Sequence, residues 1–219
     1  WSAASGLASL GCMSSVLNLP NERRMVDVVR AGLEWADQAD FAVSFTRCSG
    51  LGLLVDPLRE LLEREGRVRL LTSTYMNVTQ PEALSALLRL EGLECYVQDG
   101  RSGFHSKFWL FDGAKRAECW AGSSNLSKGG LADNIEWNLR SVDAPVIAQT
   151  KQQFSTLLAR PDVFPLTPEL IARYAERYVE PLRQPQVADA PTPLVRPNEA
   201  QREALQRLSN LRAAGLKRA

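Results

Sequence analysis

Helical and strand-like patterns alternate between residues 21 and 97, and this alternation constrains the fold more than any other feature of the sequence. Apolar residues in the first helical stretch, 21–39, place four side chains on one face: Met25, Val28, Val29 and Leu33. The strand-like runs then lie at 41–46, 68–72 and 93–97, and the helical stretches between them at 56–65 and 79–90. Strands that are joined through helices pair in parallel, because the chain crosses over before it returns.

Later segments add strands with short connections. Runs at 105–112 and 117–123 are expected to pair antiparallel, with a long hairpin turn around 113–116. A further run at 134–142 alternates between apolar and polar residues, and a helix is predicted from 145 to 158. Together these patterns predict an α/β fold with a mixed, mainly parallel β-sheet that is flanked by helices on both faces.

His105 is the only histidine in the chain, and it begins a predicted strand. Side chains two residues apart in a strand project to the same face, so His105 and Lys107 are expected to lie side by side. An imidazole beside a fixed positive charge suits attack on an anionic centre such as a phosphodiester. The alternative is a structural histidine at a strand end with a solvated lysine nearby.

Two further groups favour the chemical interpretation. The run 117–121 ends in Gly122-Ser123-Ser124-Asn125, which brings small hydroxyl and amide side chains to a strand end, as a phosphate pocket requires. Glu136 lies on the next candidate strand, where a carboxylate near the imidazole would hold its far nitrogen protonated and orient the ring. Thr74 and Tyr75 follow another strand end and are candidates for the mouth of the pocket.

The combination of His-x-Lys-x4-Asp, Gly-Ser-x-Asn and a downstream glutamate resembles the signature of the phospholipase D superfamily. In particular it is similar to the bacterial nuclease branch, in which each chain carries one motif. The resemblance covers residues 105 to 140 and is compatible with the family fold from about 22 to 158. The interval from Asp112 to Gly122 is longer than is usual in the family.

The resemblance implies a role for each matching residue. His105 would be the nucleophile that forms a phosphohistidine intermediate, and Lys107 and Asn125 would bind the phosphate. Ser123 would add a hydrogen bond, and Glu136 would orient the histidine.

Asp112 and Gly122 are expected to be structural members of the motif. Asp112 lies an odd number of residues from His105, so in a regular strand it points to the opposite face. We expect it to close the strand end and hold the fold.

The single histidine also predicts an assembly. The family mechanism uses one imidazole to attack phosphorus and a second to protonate the leaving oxygen. A chain with one histidine needs a second copy, which predicts a homodimer with a shared site on a two-fold axis. No metal or other cofactor is expected, because lysines can supply the charge stabilisation and the sequence has no cluster with ligand spacing.

The net charge of +1 requires that any nucleic-acid site be a local basic groove. Four basic residues near the motif are candidates for contacts with DNA or RNA: Arg101, Lys115, Arg116 and Lys128. The alternative is that they are solvated loop charges. Three tryptophans lie in the late strands, and core packing is favoured over base stacking for Trp109, Trp120 and Trp137.

Two helices carry start signals. Thr79 and Glu82 fit a capping box, with Thr79 as the N-cap, and Thr167 precedes a proline at the first helical position. The second helix opens a predicted helical extension, 161–183, which follows a nuclease-like domain, 1–160.

A proline-rich linker is predicted at 184–197, and it is followed by a basic amphipathic segment, 198–219. This segment resembles the start of a superfamily 2 helicase, as in a fusion with an N-terminal nuclease module, but no phosphate-binding loop follows it. The implied partner is a C-terminal helicase domain in a longer protein, of which this chain, beginning at Trp1, would be a fragment. The alternative is a basic surface helix.

Composition gives the cellular setting. No apolar run approaches the roughly 20 residues of a membrane span, and the start of the chain has no secretion signal. The four cysteines, Cys12, Cys48, Cys95 and Cys119, are scattered and are interpreted as buried thiols of a cytoplasmic protein.

The motif and the resemblance that it carries imply a metal-independent phosphodiesterase of the endonuclease type that acts on DNA. A phospholipase or phosphatidyl transferase is the second hypothesis, and a catalytically idle nucleic-acid-binding module is the third.

Overall fold

The computed structural model describes residues 14–16, 18–19, 21–100 and 103–179, together with residues 206 and 210. The chain divides into two compact units, 1–181 and 182–219. In the second unit Gln206 and Asn210 are helical, and the Gln206 amide donates a hydrogen bond to Asn210 Oδ1 at 3.2 Å. The predicted linker, 184–197, and the rest of the helicase-like segment lie outside the described residues.

The described part of the first unit is a layered α/β structure. Its strands are β1 Ser14–Val16, β2 Gln38–Val43, β3 Arg67–Ser73, β4 Glu94–Gln98, β5 Lys107–Gly113, β6 Arg116–Gly122, β7 Asn138–Ser141 and β8 Val163–Pro165. Its helices are α1 Met25–Trp35, α2 Cys48–Leu51, α3 Val55–Glu63, α4 Pro81–Leu88, α5 Ala144–Leu158 and α6 Pro168–Ala175. A 3-10 turn at Tyr75–Asn77 and a π-helical turn at Gly129–Asp133 complete them.

All eight described strands form one sheet in the order β1-β7-β6-β5-β2-β3-β4-β8. The mixed α/β class is confirmed, but the sheet is not mainly parallel. Among the described pairs only β2–β3 and β3–β4 are parallel, while the other neighbours are antiparallel. The crossover helices α3 and α4 produce the two parallel pairs, whereas β5 enters beside β2 from the opposite end and continues through a tight hairpin into β6.

Helices cover both faces of the sheet, as the sequence predicts. On the first face, α1, α3, α4 and α6 bury Leu33, Leu58, Leu84 and Tyr174 in one core with the sheet residue Trp109. On the second face, α5 is the one described helix that packs against the sheet, through Ile147 and Phe154. The four apolar positions predicted for α1, namely Met25, Val28, Val29 and Leu33, are all fully buried.

The first helix is shorter than the predicted 21–39. It begins at Met25, whose backbone N–H donates to the buried side chain of Asn18 at 2.6 Å. Asp27 in the first turn accepts a hydrogen bond from the backbone of Arg24 at 2.9 Å. The local side chains therefore satisfy the free N–H groups of the helix start.

Thr79 is not the N-cap of α4, so this prediction is wrong. The helix begins at Pro81, with Gln80 in the N-cap position. The Thr79 hydroxyl is buried and accepts a hydrogen bond from the backbone of Thr46 at 3.2 Å. The local pattern assigned this hydroxyl to the start of α4, but a hydrogen bond from a distant residue uses it instead. The cap at Thr167 is confirmed, because its hydroxyl accepts from the Leu170 N–H at 3.2 Å.

The β5–β6 connection is shorter than predicted. Gly113 and Arg116 are paired, so the turn itself consists of Ala114 and Lys115. The additional residues between Asp112 and Gly122 therefore lengthen the strands and not the turn. Asp37 fixes the turn by accepting a hydrogen bond from the Ala114 N–H at 2.8 Å.

The segment predicted as a helical extension is part of the same sheet and core. Strand β8 pairs with β4, and α6 packs against α4. The hydroxyl of the buried Tyr174 donates to the Thr79 carbonyl at 2.7 Å. These contacts make β8 and α6 structural members of the first unit.

The aromatic and thiol side chains follow the predictions in part. Trp109 and Trp120 are buried core residues, as predicted, whereas Trp137 is 62% exposed. Cys95 and Cys119 are buried, but Cys48 is exposed, which corrects the prediction for that residue. Cys12 lies outside the described residues. No helix in the described part of the chain combines the length and the apolar character needed to cross a bilayer.

Candidate active site at one edge of the sheet

Five of the predicted site residues meet at one edge of the sheet, which we call the catalytic edge after the role predicted for them: His105, Lys107, Ser123, Asn125 and Glu136. It is formed by the carboxyl ends of β2, β3 and β6 and by the amino end of β5. Strand β5 begins at Lys107, which is paired with Val43, so His105 precedes the strand and does not lie within it. The Ser106 carbonyl still accepts hydrogen bonds from the Ser44 N–H at 2.8 Å and the Ser44 hydroxyl at 2.9 Å. These bonds hold the histidine segment against β2.

Lys107 is buried at the catalytic edge, with 8% of its surface exposed. Its ammonium group donates to the His105 carbonyl at 3.1 Å and to Ser44 Oγ at 3.4 Å. Burial lowers the pKa of Lys107, and the nearby carboxylate of Glu136 opposes this effect. An ammonium has three N–H donors, so one remains for a ligand oxygen.

Phe45 contacts the side chains of His105, Lys107 and Asn125, which we call the three central side chains. Sequence reasoning did not identify Phe45. The exposed His105 ring lies edge-on to the Phe45 ring, with 5.6 Å between centroids, and the Lys107 Nζ lies 5.5 Å from the same ring. His105 and Lys107 therefore project to the same side, as predicted. The signal for Phe45 in the sequence is its position near the end of the predicted strand 41–46; the observed strand β2 ends earlier, at Val43.

Asn125 reaches the same point from β6. Its Oδ1 accepts a hydrogen bond from the Phe45 N–H at 3.2 Å, and this fixes the amide with its nitrogen as the donor toward a ligand. The backbone of Leu126 is hydrogen-bonded to Phe45 and Arg47, which aligns this segment with the continuation of β2. A Cβ on Gly130 would lie 2.6 Å from the Asn125 carbonyl oxygen, so only glycine permits the π-helical turn to pack here.

Gly122 and Ser123 connect β6 to the start of β7. A Cβ on Gly122 would lie 2.0 Å from the Trp137 carbonyl oxygen, which explains the glycine of the motif. Ser123 exchanges hydrogen bonds with the backbone of Trp137, and its Oγ accepts from the Trp137 N–H at 3.0 Å. The Ser123 hydroxyl thus keeps its own proton for donation. Behind it lies the buried pair Ser124–Asn138, which sequence reasoning missed.

Glu136 precedes β7 and is half-buried near Lys107, where its charge partly offsets the lowering of the Lys107 pKa by burial. Within the part of the chain that the structure describes, no hydrogen bond joins Glu136 to His105. The orienting contact between the carboxylate and the imidazole therefore stays a prediction.

Asp112 has the structural position that was predicted for it. It lies near the far end of β5, and its carboxylate forms an ion pair with Lys151 of α5 at 2.5 Å. Its carbonyl accepts a hydrogen bond from the Asp37 N–H at 2.8 Å. Asp112 joins the sheet to the helix on the second face and does not contact the catalytic edge.

Of the three candidate basic residues that the structure describes, only Lys128 lies near the site. Lys128 is exposed near Asn125, with its Nζ 3.4 Å from Asp133. Lys115 and Arg116 lie at the opposite edge, about 20 Å away along β5 at the usual strand rise. The Arg116 guanidinium stacks over Trp35 there, at 4.1 Å. Arg101 lies outside the described residues.

A second polar group at the catalytic edge was not predicted. Asp99, just past β4, accepts a hydrogen bond from the Thr74 hydroxyl at 2.7 Å and pairs with Arg173 at 3.2 Å. Arg177 pairs with the same carboxylate and also donates to the Thr74 hydroxyl at 3.2 Å. Burial acts to raise the pKa of Asp99, but the hydrogen bonds from Thr74 and Arg177 outweigh it, so the pKa is lowered. Tyr75 lies beside Gly103, close to the histidine segment.

Residues 39–158 match the model of a protein family described as "Cardiolipin synthase, PLD-like domain". The chain belongs to this phospholipase D-like family. The match covers more than half of the chain and includes every motif residue of the catalytic edge. No curated protein matches the chain in sequence.

Solved structures share the fold at low sequence identity. NucT from Helicobacter pylori has a TM-score of 0.54 and 18% identity, over 67% of this chain and 95% of that one. Nuc from Salmonella typhimurium, a phospholipase D family member, has a TM-score of 0.55 and 15% identity, over 70% and 97% of the two chains. Phosphatidylserine synthase from Haemophilus influenzae has a TM-score of 0.57 and 16% identity; it covers 96% of this chain, which spans about half of that protein. These similarities confirm the phospholipase D-like fold.

Proposed function

We propose that this chain is a metal-independent phosphodiesterase that cleaves DNA through a phosphohistidine intermediate. The observation that carries the proposal is the convergence of His105, Lys107 and Asn125 on Phe45. This arrangement combines an exposed imidazole with one ammonium donor and one amide donor. A phosphodiester seated there would have its non-bridging oxygens bound while the imidazole faces phosphorus.

The reaction proceeds in two balanced steps. His105 attacks phosphorus, a P–N bond forms, and the bond to the leaving oxygen breaks as a second, protonated imidazole donates its proton to that oxygen. Water then attacks phosphorus and gives a proton to the second imidazole, and the P–N bond breaks to release the phosphate-terminated strand and the free His105. Lys107 and Asn125 stabilise the negative charge on the non-bridging oxygens in both steps.

The second imidazole is supplied by a second copy of the chain. Next to the catalytic edge, Ile135, Trp137 and Leu139 alternate along one side of the chain and are 74%, 62% and 48% exposed. Trp137 is hydrogen-bonded to Ser123, so this apolar strip adjoins the motif. An exposed apolar strip of this kind favours burial against a second copy, which would bring two catalytic edges together. The strip therefore supports a homodimer with a composite site.

The mechanism is tested with labelled DNA in excess EDTA. We expect cleavage by the unmodified chain and none by His105→Ala, while Asp112→Asn, at the far end of the motif strand, retains activity. Loss of cleavage on chelation, or cleavage unchanged in His105→Ala, would disprove the mechanism. Binding of DNA without cleavage would instead favour the idle binding module.

The shared site is tested by disrupting the apolar strip. Trp137→Asp is expected to convert a dimer into a monomer in sedimentation experiments and to abolish cleavage at the same time. A monomeric, fully active unmodified chain would overturn the composite site.

Lipid phosphodiesters are the second candidate substrate. A cavity of about 380 Å³ lies between α5 and the sheet, and it is lined by apolar side chains that include Phe108, Leu139, Val146 and Leu157. It adjoins Ser106, the neighbour of the predicted nucleophile. Release of a headgroup from phospholipid vesicles, with no cleavage of DNA, would favour phospholipase or phosphatidyl-transferase activity.

The nuclease is further proposed to be one module of a larger DNA-processing or defence protein that contains a helicase domain. This proposal rests on the resemblance of segment 198–219 to a helicase start. It is tested by asking whether an ATP-dependent helicase activity accompanies the nuclease in the longer protein.

A further inference from the structure

A strongly polar cluster outside the predicted motif lies at the catalytic edge. Arg173, on α6, and Arg177, just past its end, are one helical turn apart and share the carboxylate of Asp99. Their side chains are 58% and 44% exposed, whereas the Asp99 side chain is only 10% exposed. Two guanidinium groups oppose one carboxylate, so one positive charge remains.

The cluster holds its arginines in place. Arg177 donates to Thr74 as well as to Asp99, and its guanidinium lies 5.3 Å from the ring of the buried Tyr174. Guanidinium groups have five N–H donors, so each arginine retains donors that can bind an external anion. A side chain that is already ordered loses less entropy when it binds a ligand.

The sheet register fixes the separation of this cluster from the predicted nucleophile. Lys107 on β5 is level with Val43 on β2, and Ser73 on β3 is level with Gln98 on β4. Three strand spacings therefore separate the histidine segment from the Asp99 group, or about 14 Å. A distance of this size covers only a few nucleotides of one strand.

The surface between the two groups suits a nucleic-acid strand. Tyr75 lies there beside Gly103, and the next residue, Met76, is 66% exposed. Met76 and Asn77 both have positive φ values, of 57° and 53°, which L-residues rarely adopt. Strained backbone of this kind is concentrated at binding surfaces, and an aromatic ring beside a phosphate track can stack on a base.

We propose that Arg173 and Arg177 bind backbone phosphates of the substrate strand within a few nucleotides of the phosphodiester at His105. The inference rests on the proposed function, because it assigns a polymeric substrate to the same edge. It extends the site to α6, a helix that lies beyond residues 39–158 of the family match.

Binding is measured by fluorescence anisotropy of a labelled single-stranded oligonucleotide, with the full chain carrying His105→Ala to prevent cleavage. The test variant adds Arg173→Gln and Arg177→Gln, and the control adds Arg59→Gln and Arg89→Gln, which remove the same charge from exposed positions in α3 and after α4. We expect binding to be at least about tenfold weaker for the test variant only, since the loss of a single charged hydrogen bond already has that effect and the variant removes two arginines. The plot of log affinity against log salt concentration should also become less steep, by about 0.7 in slope for each lost phosphate contact.

Asp99→Asn separates binding from a purely structural role. If the arginines bind phosphate, removing the competing carboxylate leaves affinity equal or higher and the salt slope steeper. If they only anchor α6, Asp99→Asn and the arginine variants lower the melting temperature together, and their affinities match that of the control. The second result would overturn the proposal, as would equal salt slopes for the test and control variants.

Cleavage of a small chromogenic phosphodiester keeps the two proposals distinct. Such a substrate cannot reach the arginines, so the Arg173→Gln/Arg177→Gln variant with His105 intact should cleave it at the normal rate while its KM for the oligonucleotide rises. Failure of the unmodified chain to cleave either substrate would count against the proposed function alone. Failure of the chain to bind any oligonucleotide would overturn the arginine track.

Discussion

The Lys107 side chain is costly for folding and, in the proposed mechanism, necessary for function. Its ammonium is buried beneath the His105 carbonyl, and burial disfavours its charged form. In the proposed mechanism the ammonium must be charged to stabilise the phosphoryl transition state. An apolar side chain at this position would make the folded protein more stable but could not serve that purpose.

Lys107→Met should therefore abolish activity without unfolding the protein. We expect activity to fall by about 10²–10³-fold, as when one preorganised donor is removed from a transition state. The melting temperature should stay constant or rise, because the substitution removes a buried charge. A clear fall in melting temperature would contradict this reading of the burial.

The same residue predicts a pH dependence. Because the pKa of Lys107 is lower in the folded than in the unfolded state, the unfolded state binds more protons between the two values. Its contribution to the free energy of unfolding therefore rises with pH from the lowered pKa toward the ordinary lysine value. Activity should fall over the same alkaline range as the ammonium deprotonates. A pH–rate profile compared with that of Lys107→Arg, which stays charged, measures this shift.

Gly122 gives a second test at the scale of the residue. A methyl group at this position would meet the Trp137 carbonyl oxygen at 2.0 Å, so Gly122→Ala should lower the free energy of unfolding by about 1–3 kcal/mol. The control is Gly52→Ala, where the nearest atom would lie at 3.3 Å and the backbone is already α-helical. Chemical denaturation of both variants should show a loss only for the first; similar losses would contradict the close approach of β7.

Among the secondary-structure elements, β5 makes different contacts at its two ends. Its amino end brings Lys107 to the catalytic edge, and its other end is tied to α5 by Asp112 and Lys151. The alternation of side chains along the strand separates these tasks between the two faces of the sheet. The aspartate of the motif thus contributes to the packing of α5 rather than to the reacting group.

A double-mutant cycle on Asp112→Asn and Lys151→Met should measure this tie. Both side chains are partly exposed, at 30% and 39%, so the coupling energy should be about 0.2–1 kcal/mol. Cleavage rates should be unchanged in all three variants at temperatures where they are folded. A large loss of activity in Asp112→Asn alone would give the aspartate a direct catalytic role.

For the whole molecule, the sheet is complete only when the residues after 160 are present. Strand β8 covers the β4 edge, and α6 adds Leu170 and Tyr174 to the main core. An open strand edge and an uncovered core favour aggregation. The first compact unit extends accordingly to residue 181.

Truncation should show this dependence. A chain ending at residue 181 is expected to fold and to cleave a small phosphodiester, whereas one ending at residue 160 should be aggregated or molten. Circular dichroism in the near ultraviolet and size-exclusion chromatography distinguish the two. A well-folded, active 1–160 chain would show that β8 and α6 are dispensable.

Much of the first unit could be predicted from local patterns because those patterns record burial. The spacing of Met25, Val28, Val29 and Leu33 identified the buried face of α1, and Thr167 identified the start of α6. The motif residues also predicted one shared site, and His105, Lys107 and Asn125 do converge. Thr79 failed as a cap because a distant backbone N–H, that of Thr46, occupies its hydroxyl.

The sequence by itself determined the α/β class, the family and the chemical groups of the site, since periodicity and motif spacing are local properties of the chain. Only the tertiary structure decided which strands are neighbours, that Phe45 holds the three central side chains, and that Arg177 lies at the same edge as His105 while Arg116 lies at the opposite one. The physical reason is that strand order and register depend on contacts between residues far apart in sequence. The same contacts place α6 at the edge of the sheet where the histidine segment lies.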